Sequence, residues 1–191
     1  MQLIGIRDKY SARALEKRSP RRISFPRTVK ENKNHYTRKH KIKPMKYVHT
    51  NLVARDWKKL ANFYITIFNC IPVPPERNLK GNWLDKALNL KDAHITGVHL
   101  RLPGYPDGPT LELFQYDQET SHKTNMPNTP GYGHLAFSVP DVQETAEKIL
   151  EIGGDWLGEP IKVQIKGVGS LVFAYMRDPE GNIIEIQKIE D

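Results

Sequence analysis

Two stretches of this chain repeat each other, and the repeat limits the fold more than any other feature of the sequence. His49 stands in VHTNL and His134 in GHLAFSV. An aspartate follows each histidine at seven residues (Asp56, Asp141) and an alanine at twelve (Ala61, Ala146). Further on, LEL (111–113) and IEI (184–186) each hold a glutamate between two aliphatic residues. Each unit reads as a strand, a helix and then three strands. The expected fold is α+β, with two βαβββ modules side by side at about 45–118 and 131–190.

Within the first unit, KYVHTNL (46–52) alternates as a strand does. Asp56 is placed to cap WKKLANFYITIF, where Trp57, Leu60, Ala61, Tyr64, Ile67 and Phe68 recur at helical spacing. IPVPPE (71–76) has three prolines, which excludes a central strand. GNWLDKALNL reads as a short helix or a loop over a cavity. HITGVHLRLP (94–103) and TLELFQYD (110–117) read as strands joined by a GYPDG turn. A polar loop (118–131) leads to the strand YGHLAFSV and the amphipathic helix VQETAEKILEIGG. IKVQI, SLVFAYM and NIIEIQKI are three more strands, the last two joined by the tight turn RDPEGN.

Charge divides the chain at the same point as the repeat. The chain carries +7 overall, but residues 1–44 hold 14 Lys/Arg against three acids, a net of +11, and the remainder is −4. A uniformly basic nucleic-acid binder is therefore excluded. Residues 1–44 read as a basic, disordered extension, too polar to offset its ordering entropy. Four roles are open to it: a solvated or non-native segment before a start at Met45, a mitochondrial transit peptide, a nucleic-acid-binding arm, or a membrane-surface anchor. No apolar run approaches the roughly 18 residues needed to span a bilayer. One cysteine, Cys70, excludes an internal disulfide framework and a multi-cysteine zinc site. The expected compartment is the cytoplasm, or the mitochondrion if the extension is a transit peptide.

Alternation along a strand sorts side chains onto two faces. Val48, Thr50 and Leu52 oppose Tyr47, His49 and Asn51, and Leu111 and Leu113 oppose Glu112, Phe114 and Tyr116. In the second unit Leu135, Phe137 and Val139 oppose His134, and Ile184 and Ile186 oppose Glu185. The aliphatic sets suit packing under the helices, which leaves each His and Glu on the opposite face. A lone buried carboxylate costs several kcal/mol or stays protonated. His49, Glu112, His134 and Glu185 avoid that cost together by binding one divalent ion. Two imidazoles and two carboxylates suit Zn, Ni, Co, Mn or Fe. His94, His99 and His122 lack a repeat partner and read as surface or loop residues, and His35 and His40 as solvated. Cys70 reads as a buried, inert thiol and Tyr132 as a packing residue.

VHTNL, LELFQY, GHLAFSVPDV and RDPEGNIIEI together resemble the vicinal oxygen chelate superfamily, the glyoxalase, bleomycin-resistance and extradiol-dioxygenase group. The resemblance covers residues 45–190. It implies paired βαβββ modules forming a curved sheet cup around one metal ion. Its ligand positions carry over to His49, Glu112, His134 and Glu185. The extradiol set resembles two His and one Glu. The presence of Glu112 makes this set more similar to glyoxalase I and methylmalonyl-CoA epimerase, and the glutamate leans towards the former. The implied function is a metal-dependent lyase or isomerase that abstracts a proton next to a carbonyl of a small substrate, with Glu185 or Glu112 moving the proton. An Fe(II) extradiol-type dioxygenase and a non-catalytic, resistance-type binding protein are the alternatives. A homodimer is the assembly the resemblance allows, and no membrane partner is expected. Phe63, Trp83, Phe114 and Tyr116 are candidates for an apolar substrate wall. Arg55, Arg77 and Arg101 are candidates for holding substrate carboxylates. LKGNWLDKALNLKDAHITGVHLRLPG resembles uncharacterised superfamily members more than the named enzymes, so substrate identity does not carry over.

Overall fold

The computed structural model describes residues 44–118, 120 and 125–190. His35, His40 and His122, and residues 1–43 of the basic extension, lie outside them. In chain order the first module holds β1 (His49–Val53), α1 (Trp57–Phe68), β2 (Ile71–Lys80), α2 (Asn82–Leu88), β3 (His94–Arg101) and β4 (Thr110–Tyr116). The second holds β5 (Leu135–Ser138), α3 (Val142–Glu151), β6 (Asp155–Trp156), β7 (Ile161–Ile165), β8 (Gly169–Arg177) and β9 (Ile183–Glu190). The first sheet has the order β1-β4-β3-β2. The second has β5-β9-β8-β6, with β7 also pairing with β8. The opening strand of each module runs parallel to its last strand, and the other pairings are antiparallel.

The repeat is visible in the register. Asn51 lies opposite Glu112 and Ala136 opposite Glu185, so each glutamate faces the residue two after the histidine. Both helices begin on the repeated aspartate. The Asp56 carboxylate accepts from the backbone N–H groups of Lys58 and Lys59, and Asp141 accepts from that of Glu144. The repeated alanines, Ala61 and Ala146, are both buried.

Two local readings are sharpened and one is corrected. The proline-rich IPVPPE is a strand, at the edge of its sheet. Its register to β3 is interrupted between Val73 and Arg77, where Pro74 and Pro75 fall, and an edge strand tolerates the missing donors. GNWLDKALNL resolves as α2. His134 immediately precedes β5 rather than lying within it, and β6 is a two-residue strand with no clear sequence signal.

The helix faces of both sheets share one core. Leu111, Leu113, Val98 and Leu100 from the first sheet and Ile184, Ile186, Ala174 and Met176 from the second join residues of α1 and α3 in it. Phe63 belongs to this core and lines no substrate wall. Val48, expected on the same face, is exposed instead. The modules are fastened through α1. The Phe68 and Phe137 rings stack with centroids 3.9 Å apart, and the buried Tyr64 hydroxyl donates to Asp178 Oδ2 at 2.9 Å. Glu180 Oε1 accepts from the backbone N–H groups of Arg55 and Asp56, both at 3.0 Å. The DPEGN turn of the second module therefore clasps the start of α1 in the first. Cys70 is buried, and burial pushes its thiol up to about 12, as an inert thiol requires. Among the described residues no helix is long and apolar enough to cross a membrane.

Gly97, in the middle of β3, is required by close approach. A Cβ there would meet the Leu113 carbonyl oxygen at 2.0 Å and the Phe114 ring at 2.6 Å. Backbone cannot yield as a flexible side chain can. Gly97→Ala is expected to cost about 3 kcal/mol, read as a lower denaturant midpoint at unchanged slope.

Candidate metal centre

The side chains left on the other face of each sheet form two matching clusters. In the first module, β1 presents His49, β4 presents Glu112 and β3 presents His99 directly across from Glu112. His49 Nε2 lies 3.6 Å from Glu112 Oε2, and His99 Nε2 lies 2.9 Å from Glu112 Oε1. Asn51 Nδ2 donates to Glu112 Oε2 at 3.0 Å. His99 Nδ1 lies 3.1 Å from the Thr110 hydroxyl. In the second module, His134 Nε2 lies 3.0 Å from Glu185 Oε2. Tyr175, across from Glu185 on β8, meets the His134 ring edge-on at 5.1 Å.

Burial pulls the His99 imidazole below its ordinary value, although the Glu112 carboxylate opposes that. A lowered value favours the neutral ring, which is the form that binds metals. Burial, and then the neighbouring glutamate, raise Tyr116 beside Glu112 and Tyr175 beside Glu185.

The donors suit an ion. Two ligands each about 2.1 Å from one ion, at octahedral or tetrahedral angles, lie roughly 3.0–3.4 Å apart. The His–Glu separations of 2.9, 3.0 and 3.6 Å bracket that range. Neutral imidazole and carboxylate are also the ligand types that first-row divalent metals take.

The structure brings His49 to Glu112 and His134 to Glu185, as two pairs. Among the described residues, the group of three or more metal-type donors within 4.8 Å of one another is His49, His99 and Glu112. His99 is therefore part of the constellation rather than a surface residue. The search for repeated histidines passed over it because the matching place in the second module holds Tyr175. The signal was the hairpin register, which sets VHLR against TLEL and puts His99 opposite Glu112. His94 also lies in β3, bonded to Asp117 at 2.7 Å and Asn78 at 2.8 Å.

Of the aromatic candidates, Phe114 and Tyr116 do lie on the Glu112 face. They pack with Leu79, Leu84 and Ile95 beneath α2, while Trp83 on α2 is exposed. Tyr132 is 92% exposed and is not the packing residue expected. Arg55 binds Glu180 at 2.8 Å, and Arg101 lies 3.8 Å from Asp107. Arg77 is close enough to His99 to oppose its protonation, and donates to the Pro75 carbonyl.

The comparisons with known proteins agree with this fold. Over 117 residues the chain is 32% identical to a probable lactoylglutathione lyase of Synechocystis, covering 54% of this chain and 85% of that one. It is 31% identical over 121 residues to a lactoylglutathione lyase of Neisseria meningitidis, covering 55% and 83%. A glyoxalase family protein of Bacillus cereus superposes with a TM-score of 0.65 at 20% identity, over 78% of this chain and 97% of that one, which shows a shared fold. The sequence model of one family matches residues 46–186, from ahead of β1 to within β9. The chain belongs to the Glyoxalase/Bleomycin resistance protein/Dioxygenase superfamily.

Proposed function

We propose that the chain is a metal-dependent lyase or isomerase of glyoxalase type, which moves a proton on the carbon next to a carbonyl of a small substrate. The observation that carries this reading is the repeat-related pair of His–Glu sets, one in each module, each with its histidine and glutamate spaced as two ligands of an ion are. His49, Glu112, His134 and Glu185 would hold a divalent cation of the Zn, Ni, Co, Mn or Fe type. When bound, such an ion acts as a Lewis acid towards the negative charge that develops on a carbonyl oxygen.

The two glutamates differ in how firmly they are held. Glu112 is engaged at both oxygens, by His99 at Oε1 and by Asn51 at Oε2. Glu185 faces Ala136, which offers no amide in the place of Asn51. The less encumbered Glu185 is the proton carrier, and Glu112 is the anchoring ligand. Because the quartet stands as two pairs, we further propose that a second copy of the chain completes it, with a first module facing a second module across a homodimer.

A hemithioacetal formed from a small 2-oxoaldehyde and a thiol is a suitable probe. Turnover without oxygen consumption is the expected result. Oxygen uptake with a catechol, and no action on the hemithioacetal, would establish the dioxygenase reading instead.

A further inference from the structure

His99 is not a ligand in the four-ligand reading, and we infer that it is a fifth protein ligand, which makes the first module the principal holder of the ion. This inference rests on the proposed metal site and deepens it. The geometry supports it in three ways. His99 Nε2 stands 2.9 Å from Glu112 Oε1, the separation of two donors on one ion, and groups with His49 and Glu112 within 4.8 Å. The Thr110 hydroxyl at Nδ1 can accept from Nδ1–H, which fixes the ring and leaves Nε2 free to ligate. The His49 and His99 rings stand edge to face at 5.8 Å, so two imidazoles converge on one carboxylate.

The modules are unequal in this respect. The residue across from Glu112 is His99, and the residue across from Glu185 is Tyr175. The first module thus offers two imidazoles and a carboxylate, a set that holds divalent metals with open positions to spare. The second module offers one imidazole and one carboxylate. The first module would retain the ion by itself, and His134 and Glu185 would close on it from the other side.

A positioning role, in which His99 only donates a hydrogen bond to Glu112, predicts different results. The test is Co(II) titration of the full chain by calorimetry and by contact-shifted proton NMR, for the wild type, His99→Gln and His134→Gln. The glutamine amide of the first variant can still donate to Glu112, so it removes a ligand without removing that bond.

Three shifted imidazole N–H signals per bound ion are expected in the wild type, and two in His99→Gln. Affinity should fall more than about 100-fold in His99→Gln, beyond the loss typical of an outer-shell partner. The fall should be smaller in His134→Gln. Two shifted signals in the wild type would overturn the inference without recourse to any variant. Near-wild-type affinity in His99→Gln would also overturn it. In either case the four-ligand reading would survive. A wild type that binds no Co(II) would overturn both.

Discussion

Replacing Glu185 by glutamine is expected to lower turnover by about 100- to 10,000-fold, the usual contribution of a positioned proton carrier. The amide has the shape of the carboxylate but cannot accept a proton at neutral pH. It also weakens one half of the donor set facing the ion, so the loss should lie towards the upper end. The fold should not suffer. Glu185 projects from the face of β9 opposite the core residues Ile184 and Ile186, and the helix packing never touches it. Activity and a thermal melt on the same sample separate the two effects. A variant that retains near-wild-type turnover would show that Glu185 does not move the proton.

Asp178→Ala should have the largest effect on stability. Asp178 is 3% exposed, and its carboxylate gathers donors from two modules. It accepts from the Tyr64 hydroxyl at 2.9 Å, from the Asn182 side chain at 2.9 Å, and from the backbone N–H groups of Glu180 at 2.9 Å and Asn182 at 3.0 Å. Alanine leaves the buried Tyr64 hydroxyl unpaired and loosens the turn that presents Glu180 to the start of α1. A loss of about 3–4 kcal/mol is expected, equivalent to a fall in melting temperature on the order of 10 °C. The acidity of Asp178 also gives the loss a pH dependence. Burial holds its carboxyl above the ordinary value, against the opposing pull of its donors. The native state therefore binds this proton more readily than the unfolded chain does. The contribution is full below the unfolded carboxylate range and declines as pH rises through the raised native value. The gap between wild type and Asp178→Ala should thus be widest in acid and narrow towards neutrality. A gap that widens with pH would contradict this account.

The sequence was most informative where a pattern is local or repeated. Asp56 and Asp141 signalled two helix starts, and the alternation around Glu112 and Glu185 separated core face from site face, because period-two patterning is a direct consequence of the pleat. Three features depended on contacts between distant segments and could not be read that way. Phe63 looked like any other aromatic on α1, and only the packing of α1 between the modules buries it. The edge position of β2, which makes its prolines tolerable, follows from the strand order rather than from its own residues. His99 was hidden because the repeat is imperfect at that position. Duplicated modules share a fold, but their ligands can diverge, and a search for repeated residues misses what only one module carries.

The central claim is that His49, Glu112, His134 and Glu185 serve one divalent ion on which activity depends. Metal analysis of the purified full chain, before and after exhaustive chelation, tests it most directly when turnover is followed on the same samples. One divalent ion per chain is expected, together with loss of turnover on chelation and its return when Zn, Ni, Co, Mn or Fe(II) is restored. Full turnover in protein shown to be free of metal would contradict the account.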